Sequence, residues 1–264
     1  MQQSHCKNYK GIFTPSYFED KQFLISGASS GIGAYIALYL NELGAKILAL
    51  GRDMSKLEKK QQEATHKDRF IPITKDIAQV EGLDKWALNL AREYGSFSGA
   101  VLSAGTQQTA PITSVLSVEN ARDVFATNYF GNLALLKGLL DKRAKSEQGA
   151  SFVWISSNAS IKAQKGLTSY AASKSAINTA IKSIALEIAP TYRINAVSPG
   201  FVHTEMIDSW SSIYDKHYIE SIDKAYPLGI GKVEYIAPLV GFLLSVESSW
   251  ITGQNIVIDG GGSL

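Results

Sequence analysis

Tyr170 and Lys174 are the residues of this chain best suited to chemistry, and Ser157 lies thirteen positions before the tyrosine. A tyrosine and a lysine four residues apart on a helix share one face, so the ammonium group can approach the phenol. A nearby cation lowers the tyrosine pKa from its ordinary value of about 10, which equips the side chain for general acid–base catalysis. Such a pair also occurs on solvated helix faces, so its interpretation depends on the rest of the chain.

A glycine-rich segment near the N-terminus has the order of elements that binds a phosphate. Residues 23–25 have an apolar strand pattern, residues 26–33 are Ser-Gly-Ala-Ser-Ser-Gly-Ile-Gly, and apolar residues at helical spacing follow. The glycines permit a tight turn, let backbone amides approach a pyrophosphate, and let the helix pack on the strand. The unpaired N–H groups that begin such a helix attract the anion. We predict cofactor contacts from Gly27, Ser29, Ser30, Gly31, Ile32 and Gly33.

The glycine spacing Gly-x-x-x-Gly-x-Gly, taken with Tyr170 and Lys174, resembles that of the classical short-chain dehydrogenase/reductase family. It differs from the Gly-x-Gly-x-x-Gly of ordinary dinucleotide-binding domains. The resemblance covers the chain from about residue 21 to residue 264 and is carried by several further stretches. These are residues 125–131 with the family's helical Asn128, residues 155–157 with its serine, and residues 195–204, 251–254 and 258–261.

Two segments depart from the family pattern. Ser26 replaces the usual threonine before the first glycine and keeps the hydroxyl. The usual Asn-Asn-Ala-Gly segment after the fourth strand is Leu102-Ser103-Ala104-Gly105, so two amides are lost. We expect this change to alter how the central sheet is braced and one contact to the cofactor ribose, and to leave the chemistry intact.

The resemblance implies one role for each of four residues. Tyr170 would donate or accept the proton at the reacting oxygen, and Lys174 would lower the tyrosine pKa and hold the nicotinamide ribose. Ser157 would hydrogen-bond the same oxygen and stabilise the charge that develops on it. Asn128 would hold a water that connects Lys174 to solvent. Ser156 is an alternative to Ser157, but the thirteen-residue spacing to the tyrosine favours Ser157.

The end of the second strand bears on the choice between NAD and NADP. An NAD enzyme of this kind places an acid there to bind the ribose 2′-hydroxyl, but the position is Gly51. Arg52 follows and can pair with a 2′-phosphate, whereas Asp53 is better placed to cap the next helix. These residues favour NADP(H) over NAD(H). The resemblance further implies cofactor contacts from Asp76, Ile77, Ser103, Ala104, Gly105, Pro199, Gly200, Val202 and Thr204, besides Tyr170 and Lys174.

Short apolar segments alternate with longer helical patterns along the chain. Strands are predicted near residues 22–26, 46–50, 70–74, 99–103, 150–156, 192–198 and 254–258. Helices are predicted near residues 31–43, 54–66, 79–94, 118–145, 168–189 and 232–245. The alternation predicts one α/β domain over residues 21–264, a Rossmann-type doubly wound parallel sheet of about seven strands with helices on both faces. Residues 1–20 are predicted to form an extension that lies on the surface or is partly disordered. The aromatic stretch near 204–231 is predicted to form a substrate lid.

Composition narrows the partners and the compartment. The formal net charge of +2 gives no electrostatic case for nucleic acid or acidic membranes. No apolar run approaches the ~20 residues of a membrane span, and the first twenty residues lack the apolar core of a secretion signal. Cys6 is the only cysteine, which suits a reducing compartment. We expect a cytoplasmic protein without a metal. The family resemblance implies a homotetramer, or failing that a homodimer, assembled through the helices near 118–145 and 168–189 and the last strand.

Together these features predict an NADP(H)-dependent oxidoreductase that transfers a hydride between nicotinamide and a carbonyl or secondary alcohol. A 3-oxoacyl thioester is the first expectation for the substrate, while a nucleotide sugar or other surface-polysaccharide precursor, and a small ketone or polyol, stay open. A family-fold binding protein without turnover is disfavoured because such members commonly lose the tyrosine or lysine. A sugar epimerase or dehydratase of the extended type is disfavoured by the glycine spacing and the 264-residue length.

Overall fold

A seven-stranded parallel sheet forms the centre of the protein. The computed structural model describes residues 12–144, 146, 148–203 and 216–264. The strands follow the order β3-β2-β1-β4-β5-β6-β7, and every neighbouring pair is parallel. Their bounds are β1 Gln22–Ser26, β2 Lys46–Gly51, β3 Phe70–Thr74, β4 Gly99–Leu102, β5 Ala150–Ile155, β6 Tyr192–Pro199 and β7 Asn255–Ile258. The predicted fold class is confirmed, and each strand lies within one residue of its predicted bounds.

Helices cover both faces of this sheet. In the described part of the chain they are α1 Gly31–Glu42, α2 Met54–Glu63, α3 Leu83–Tyr94, α4 Val118–Phe125, α5 Asn132–Leu139, α6 Thr168–Ile188, α7 Lys216–Ala225 and α8 Val233–Leu244. Short 3₁₀ turns lie at Lys67–Arg69, Lys142–Ala144, Asn158–Ser160 and Val246–Ser248. None of the described helices is long and apolar enough to cross a membrane.

The prediction of one continuous helix over residues 118–145 is wrong. A π-helical stretch, Ala126–Gly131, separates α4 from α5. The Asn132 side chain stabilises this widened turn, because its amide donates to the carbonyl oxygens of Thr127 (3.1 Å) and Asn128 (3.3 Å). Single π turns within α-helices are frequent at functional sites, and this one contains Asn128.

Consecutive strand residues supply two separate cores. Ile25 and Val101 belong to the core under α1 and α8, whereas Leu24 and Ala100 belong to the core under α3, α5 and α6. Side chains alternate between the faces of a strand, so a sheet that is covered on both faces needs apolar residues at nearly every position. This requirement explains why the strands are continuous apolar runs.

Part of the predicted N-terminal extension belongs to the core. Phe18 is 2% exposed, its backbone N–H donates to the Leu43 carbonyl at 2.9 Å, and its ring meets that of Phe23 edge to face. Phe13 and Tyr17 pack beside it. The prediction of a surface position is therefore wrong for this stretch, because its aromatic rings close the end of the core under α1. Residues 1–11 lie outside the described residues.

The strand order reverses between β1 and β4, and this position defines a crevice. From β1 the chain continues outward to β2 and β3, whereas β4 begins the other half of the sheet. In open parallel sheets the loops at such a reversal diverge to opposite faces, which leaves a cleft at the carboxyl ends of the strands. The glycine-rich segment that follows β1 lies at this position.

Candidate active site

One cleft of about 290 Å³ at the carboxyl ends of the strands brings the predicted site together. Every residue predicted to contact a cofactor lines it, except Thr204, which lies outside the described residues. Ser157, Tyr170 and Lys174 line the same cleft, and Asn128 lies behind its wall. We call the part around residues 27–33, 51–52 and 75–77 the glycine end. The part around Thr106, Gln107, Asn158, Gln164, Leu167, Tyr170, Phe201 and Tyr226 is the tyrosine end.

The glycine end is formed by backbone that leaves no room for side chains. Gly27 has φ of 72°, and a Cβ there would lie 2.8 Å from the Ala104 Cα. A Cβ on Gly33 would lie 2.4 Å from the Gly27 carbonyl oxygen. Helix α1 begins at Gly31, and Ser30 makes no side-chain capping bond there. The first amides of α1 are thus left for an anion, so these residues fit the pyrophosphate of a dinucleotide.

The hydroxyl of Ser26 braces the sheet where two family amides are missing. It donates to Asn132 Oδ1 at 2.7 Å and accepts from the backbone N–H groups of Ser103 and Ala104, both at 3.0 Å. Asn132 completes the network by donating to the Ala104 carbonyl at 2.9 Å. Both departures from the family pattern therefore meet in one buried network that joins β1, β4 and α5.

Two cationic side chains, Arg52 and Lys75, line the glycine end beside Gly51, which has no side chain. Arg52 follows β2 and is exposed, and Lys75 follows β3 with its ammonium 5.4 Å from the Trp86 ring centroid. Asp53 caps α2 instead, because its carboxylate accepts from the Lys56 N–H at 3.2 Å. The predicted capping role of Asp53 is confirmed. The sequence reasoning missed Lys75, which only the packing of β3 beside β2 brings near Arg52.

Lys174 is buried on α6 close to Tyr170. Its side chain is 4% exposed, Nζ donates to the Ile155 carbonyl at 2.8 Å, and Nζ lies 5.7 Å from the Tyr170 ring centroid. Loss of solvent around the ammonium lowers the pKa of Lys174 to about 8. The ammonium group therefore changes charge within the range where an enzyme operates, next to the predicted proton donor.

The two candidate serines face different partners. Ser156 donates to the backbone carbonyl of Lys174 at 3.1 Å, so its hydroxyl fastens α6 to the end of β5. Ser157 Oγ instead accepts from the Ala159 N–H at 3.1 Å and caps the short turn Asn158–Ser160. An accepting hydroxyl keeps its own proton for donation. This geometry agrees with the choice of Ser157 over Ser156.

Asn128 is fully buried, and its amide is held by backbone. Its Oδ1 accepts from the Thr106 N–H at 2.7 Å, and its Nδ2 donates to the Thr106 carbonyl at 2.9 Å and to Ser173 Oγ at 3.0 Å. A Cβ on Gly105 would lie 3.4 Å from both Asn128 Oδ1 and Lys174 Nζ. A side chain at Gly105 would therefore contact both of these groups.

The tyrosine end contains residues that the motifs did not indicate. Thr106, Gln107, Asn158, Gln164 and Leu167 come from the loops after β4 and β5. These loops meet where the Ala110 N–H donates to the Gly166 carbonyl at 2.8 Å. No local spacing in the sequence indicates this approach.

The lid predicted near 204–231 is described only in part. Residues 204–215 lie outside the described residues, and α7 begins at Lys216. Tyr226, which follows α7, lines the cleft. Within the described ranges, no group of three His, Cys, Asp or Glu side chains is arranged to hold a metal ion.

Comparisons of the sequence and of the structure with known proteins point to the same family. Residues 27–263 match the family model described as enoyl-(acyl carrier protein) reductase. A 3-oxoacyl-(acyl-carrier-protein) reductase of Rickettsia typhi is 32% identical over 247 residues, which are 92% of this chain and 97% of the relative.

Two solved structures have the same architecture. The aldohexose dehydrogenase of Thermoplasma acidophilum is 30% identical with a TM-score of 0.82, covering 93% of this chain and 96% of that one. A 4-hydroxyisoleucine dehydrogenase in complex with NADH is 26% identical with a TM-score of 0.83, covering 92% and 98%. The chain has a glycine cradle that fits a dinucleotide. It belongs to the classical short-chain dehydrogenase/reductase family, oxidoreductases that interconvert CH–OH and C=O groups with a nicotinamide cofactor.

Proposed function

We propose that this protein is an NADP(H)-dependent reductase of a carbonyl substrate, with a 3-oxoacyl thioester as the first substrate class. The observation that carries the proposal is the buried Lys174 beside Tyr170, in the cleft that also contains Ser157. A buried lysine ammonium is costly, and perturbed groups of this kind concentrate at functional sites. The intact set of four residues argues against a binding protein without turnover.

Tyr170 and Ser157 act on the same substrate oxygen. When a ketone is reduced, the Tyr170 hydroxyl gives its proton to the carbonyl oxygen, and Ser157 donates a hydrogen bond to that oxygen as negative charge develops. The charged Lys174 favours the phenolate that Tyr170 becomes. A bound nicotinamide supplies or accepts the hydride. Asn128 holds a water next to Lys174, through which the proton is replaced from solvent.

Arg52 and Lys75 support NADP(H) rather than NAD(H). Both line the glycine end, and Gly51 at the end of β2 offers no acid to a ribose 2′-hydroxyl. Asp53 is engaged at the start of α2 and does not line the cleft. A planar guanidinium pairs well with phosphate oxygens, and a lysine adds a point charge beside it.

Two observations bear on the substrate. The Rickettsia typhi relative is named as a 3-oxoacyl-(acyl-carrier-protein) reductase, which supports the thioester. The tyrosine end carries neutral hydrogen-bonding groups from Thr106, Asn158 and Gln164, which favours a hydroxylated compound such as a sugar or polyol as the second candidate. A nucleotide-linked sugar or other surface-polysaccharide precursor belongs to this second class.

The purified protein tests the function directly. NADPH or NADH oxidation is followed by the loss of reduced-nicotinamide absorbance with acetoacetyl-coenzyme A, cyclohexanone and a nucleotide-linked keto sugar, and NADP⁺ reduction is followed with D-glucose. We expect turnover with NADPH on acetoacetyl-coenzyme A. Preference for a sugar substrate selects the second candidate, and a protein that oxidises neither cofactor with any compound contradicts the proposal.

Exposed apolar residues support assembly as a homotetramer, with a homodimer as the alternative. Val118 of α4, Phe130 before α5 and Leu186 of α6 are between 48% and 85% exposed, and Trp250 near β7 is 99% exposed. Large exposed apolar side chains on helices and at a sheet edge are typical of interfaces. We also place the protein in the reducing cytoplasm, which suits a chain whose only cysteine is Cys6. A solution mass near 28.6 kDa would contradict the assembly.

A further inference from the structure

Tyr226 connects two segments that flank the tyrosine end. Its hydroxyl oxygen accepts from Asn158 Nδ2 at 3.2 Å and from the Phe201 backbone N–H at 3.4 Å. Asn158 directly follows Ser157, and Phe201 directly follows the Pro199–Gly200 pair predicted to flank the nicotinamide. One hydroxyl therefore links the serine segment to the segment beside the hydride donor.

The backbone of Gly262 lies directly against the Tyr226 ring. A Cβ on Gly262 would lie 2.2 Å from Tyr226 Cε1 and 2.3 Å from Cζ, so any side chain there would displace the ring. Gly262 lies outside the left-handed region, unlike Gly260 and Gly261, so its backbone would accept an alanine. The three atoms nearest to such a Cβ all belong to the Tyr226 ring.

The C-terminal segment Gly260–Gly262 is hydrogen-bonded to two other parts of the chain near this ring. The Leu228 N–H donates to the Gly260 carbonyl at 3.0 Å, which ties the segment to the chain after Tyr226. Lys162 Nζ donates to the Gly262 carbonyl at 2.6 Å, which ties it to the loop after Asn158. The glycines are therefore held against the segment that follows Tyr226 and against the loop that follows Asn158.

We propose that Tyr226 is a positioning residue for the reaction and that Gly262 completes the active site by leaving room for its ring. The inference rests on the proposed carbonyl reduction. Ser157 must reach the same oxygen whose carbon faces the hydride donor, so the distance between the two linked segments sets the reactive geometry. A misplacement of about 1 Å can lower a rate by about 100-fold, so one hydroxyl bridge at this point matters.

Tyr226→Phe isolates the bridge because it keeps the ring in place and removes only the hydroxyl. With the carbonyl substrate that the wild type reduces, we expect kcat to fall by about tenfold or more. The Michaelis constant and the dissociation constant of NADPH should stay within about twofold, because the glycine end is untouched. Tyr192→Phe is the matched control, since it removes a hydroxyl at the opposite end of β6 and should leave kcat unchanged.

Gly262→Ala tests the ring site by a different route. The added methyl group must push the Tyr226 ring aside, so kcat should fall as it does for Tyr226→Phe. In a Tyr226→Ala background the same glycine substitution should have no further effect on kcat, because no ring remains to be displaced. Leu264→Ala, at the fully exposed last residue, is the control for changes in the C-terminal segment.

Each outcome separates this inference from the proposed function. Tyr226→Phe with wild-type kcat overturns it, and so does a Gly262→Ala effect that persists without the ring. A fall in kcat that is accompanied by a similar fold-loss of NADPH affinity and by a lower melting temperature shows a structural role only. This outcome also overturns the inference. A wild-type protein that binds NADPH but reduces no carbonyl overturns the proposed function and this inference with it.

Discussion

The two ends of the cleft are built in different ways. At the glycine end, the contacts that matter are made by backbone, and glycines are required because neighbouring main chain lies within 3 Å of any added Cβ on Gly27 or Gly33. At the tyrosine end, side chains from segments far apart in sequence meet, as where Tyr226 holds Asn158 and the backbone of Phe201. We expect the glycine end to hold the dinucleotide cofactor, which many enzymes share. The tyrosine end should hold the substrate, which is particular to this enzyme.

This difference makes the two ends separable by mutation. A change at the glycine end should alter cofactor affinity, and a change at the tyrosine end should alter turnover. Lys174 belongs to both, because it lies beside Tyr170 and is also expected to hold the nicotinamide ribose. The predictions below test this division, beginning with the loss of the proton donor.

Tyr170→Phe should lower kcat by ~10²-fold or more, because it removes the proton donor and keeps the ring. The dissociation constant of NADPH, measured by fluorescence titration, should stay close to that of the wild type. Turnover at the wild-type rate would end the mechanism. A large loss of NADPH affinity would instead show that the two ends are not separable.

Ser157→Ala and Ser156→Ala form a matched pair within the tyrosine end. Loss of one hydrogen-bond donor to a developing oxyanion costs about 10²–10³-fold in kcat, and we expect the lower part of this range for Ser157→Ala. Ser156→Ala removes the bond to the Lys174 carbonyl and should change kcat by only a few-fold. Steady-state kinetics of both variants decide the assignment, which is reversed if Ser156→Ala is the more damaging.

The glycine end was predictable from the sequence because it is local. A strand, a glycine turn and a helix follow one another within residues 22–42, and their spacing alone specifies the phosphate cradle. The strands were equally predictable from the sequence, since a sheet covered on both faces requires continuous apolar runs. The network of Ser26 with Asn132 was not, because its members lie 106 positions apart.

The tyrosine end depended on packing that no local pattern records. Asn128 was predicted as a site residue, but its engagement with Thr106 follows from the π turn that interrupts the predicted helix. No local pattern in the sequence indicates that the Tyr226 ring packs against Gly262. Phe18 likewise became a core residue only through its contact with the end of α1.

Arg52→Ala should weaken NADPH binding by about tenfold or more, the lower range for hydrogen bonds to a charged group at an exposed position. NADH binding should hardly change, since its ribose carries no phosphate. Lys75→Met should act in the same direction with a smaller effect, because the lysine is a point charge without the guanidinium fork. Fluorescence titration with both reduced cofactors measures the difference, and equal changes for NADPH and NADH would reject the NADP(H) assignment.

Gly51→Asp added to Arg52→Ala should invert the cofactor preference by offering the ribose an acceptor and repelling phosphate. The structure adds a constraint, because a Cβ on Gly51 would lie 3.2 Å from Ser29 Cβ and Oγ and 3.3 Å from Leu57 Cδ2. Ser29 must therefore shift by a few tenths of an ångström. The double variant should bind NADH more tightly than NADPH, as titration with both reduced cofactors would show, and a double variant that still prefers NADPH would contradict the assignment.

Lys174→Met should abolish turnover and yet stabilise the fold at pH 7. Burial lowers the pKa of Lys174 from 10.5 to about 8, so at pH 7 the native protein carries a desolvated ammonium that the unfolded chain keeps in water. That shift corresponds to about 3 kcal/mol, and the lost bond to the Ile155 carbonyl offsets about 1 kcal/mol of it. A gain of about 2 kcal/mol should raise the melting temperature by about 4 °C or more.

The pH dependence of this gain identifies its cause. Between pH 8 and 10.5 the unfolded chain binds more protons at Lys174 than the native protein does, so this group makes the wild type relatively more stable as pH rises. The advantage of Lys174→Met should therefore shrink between pH 8 and pH 10. Lys182→Met, on the exposed side of the same helix, should show neither effect. A Lys174→Met protein that melts below the wild type at pH 7, or whose advantage is constant with pH, would show that the ammonium is not desolvated where the two ends of the cleft meet.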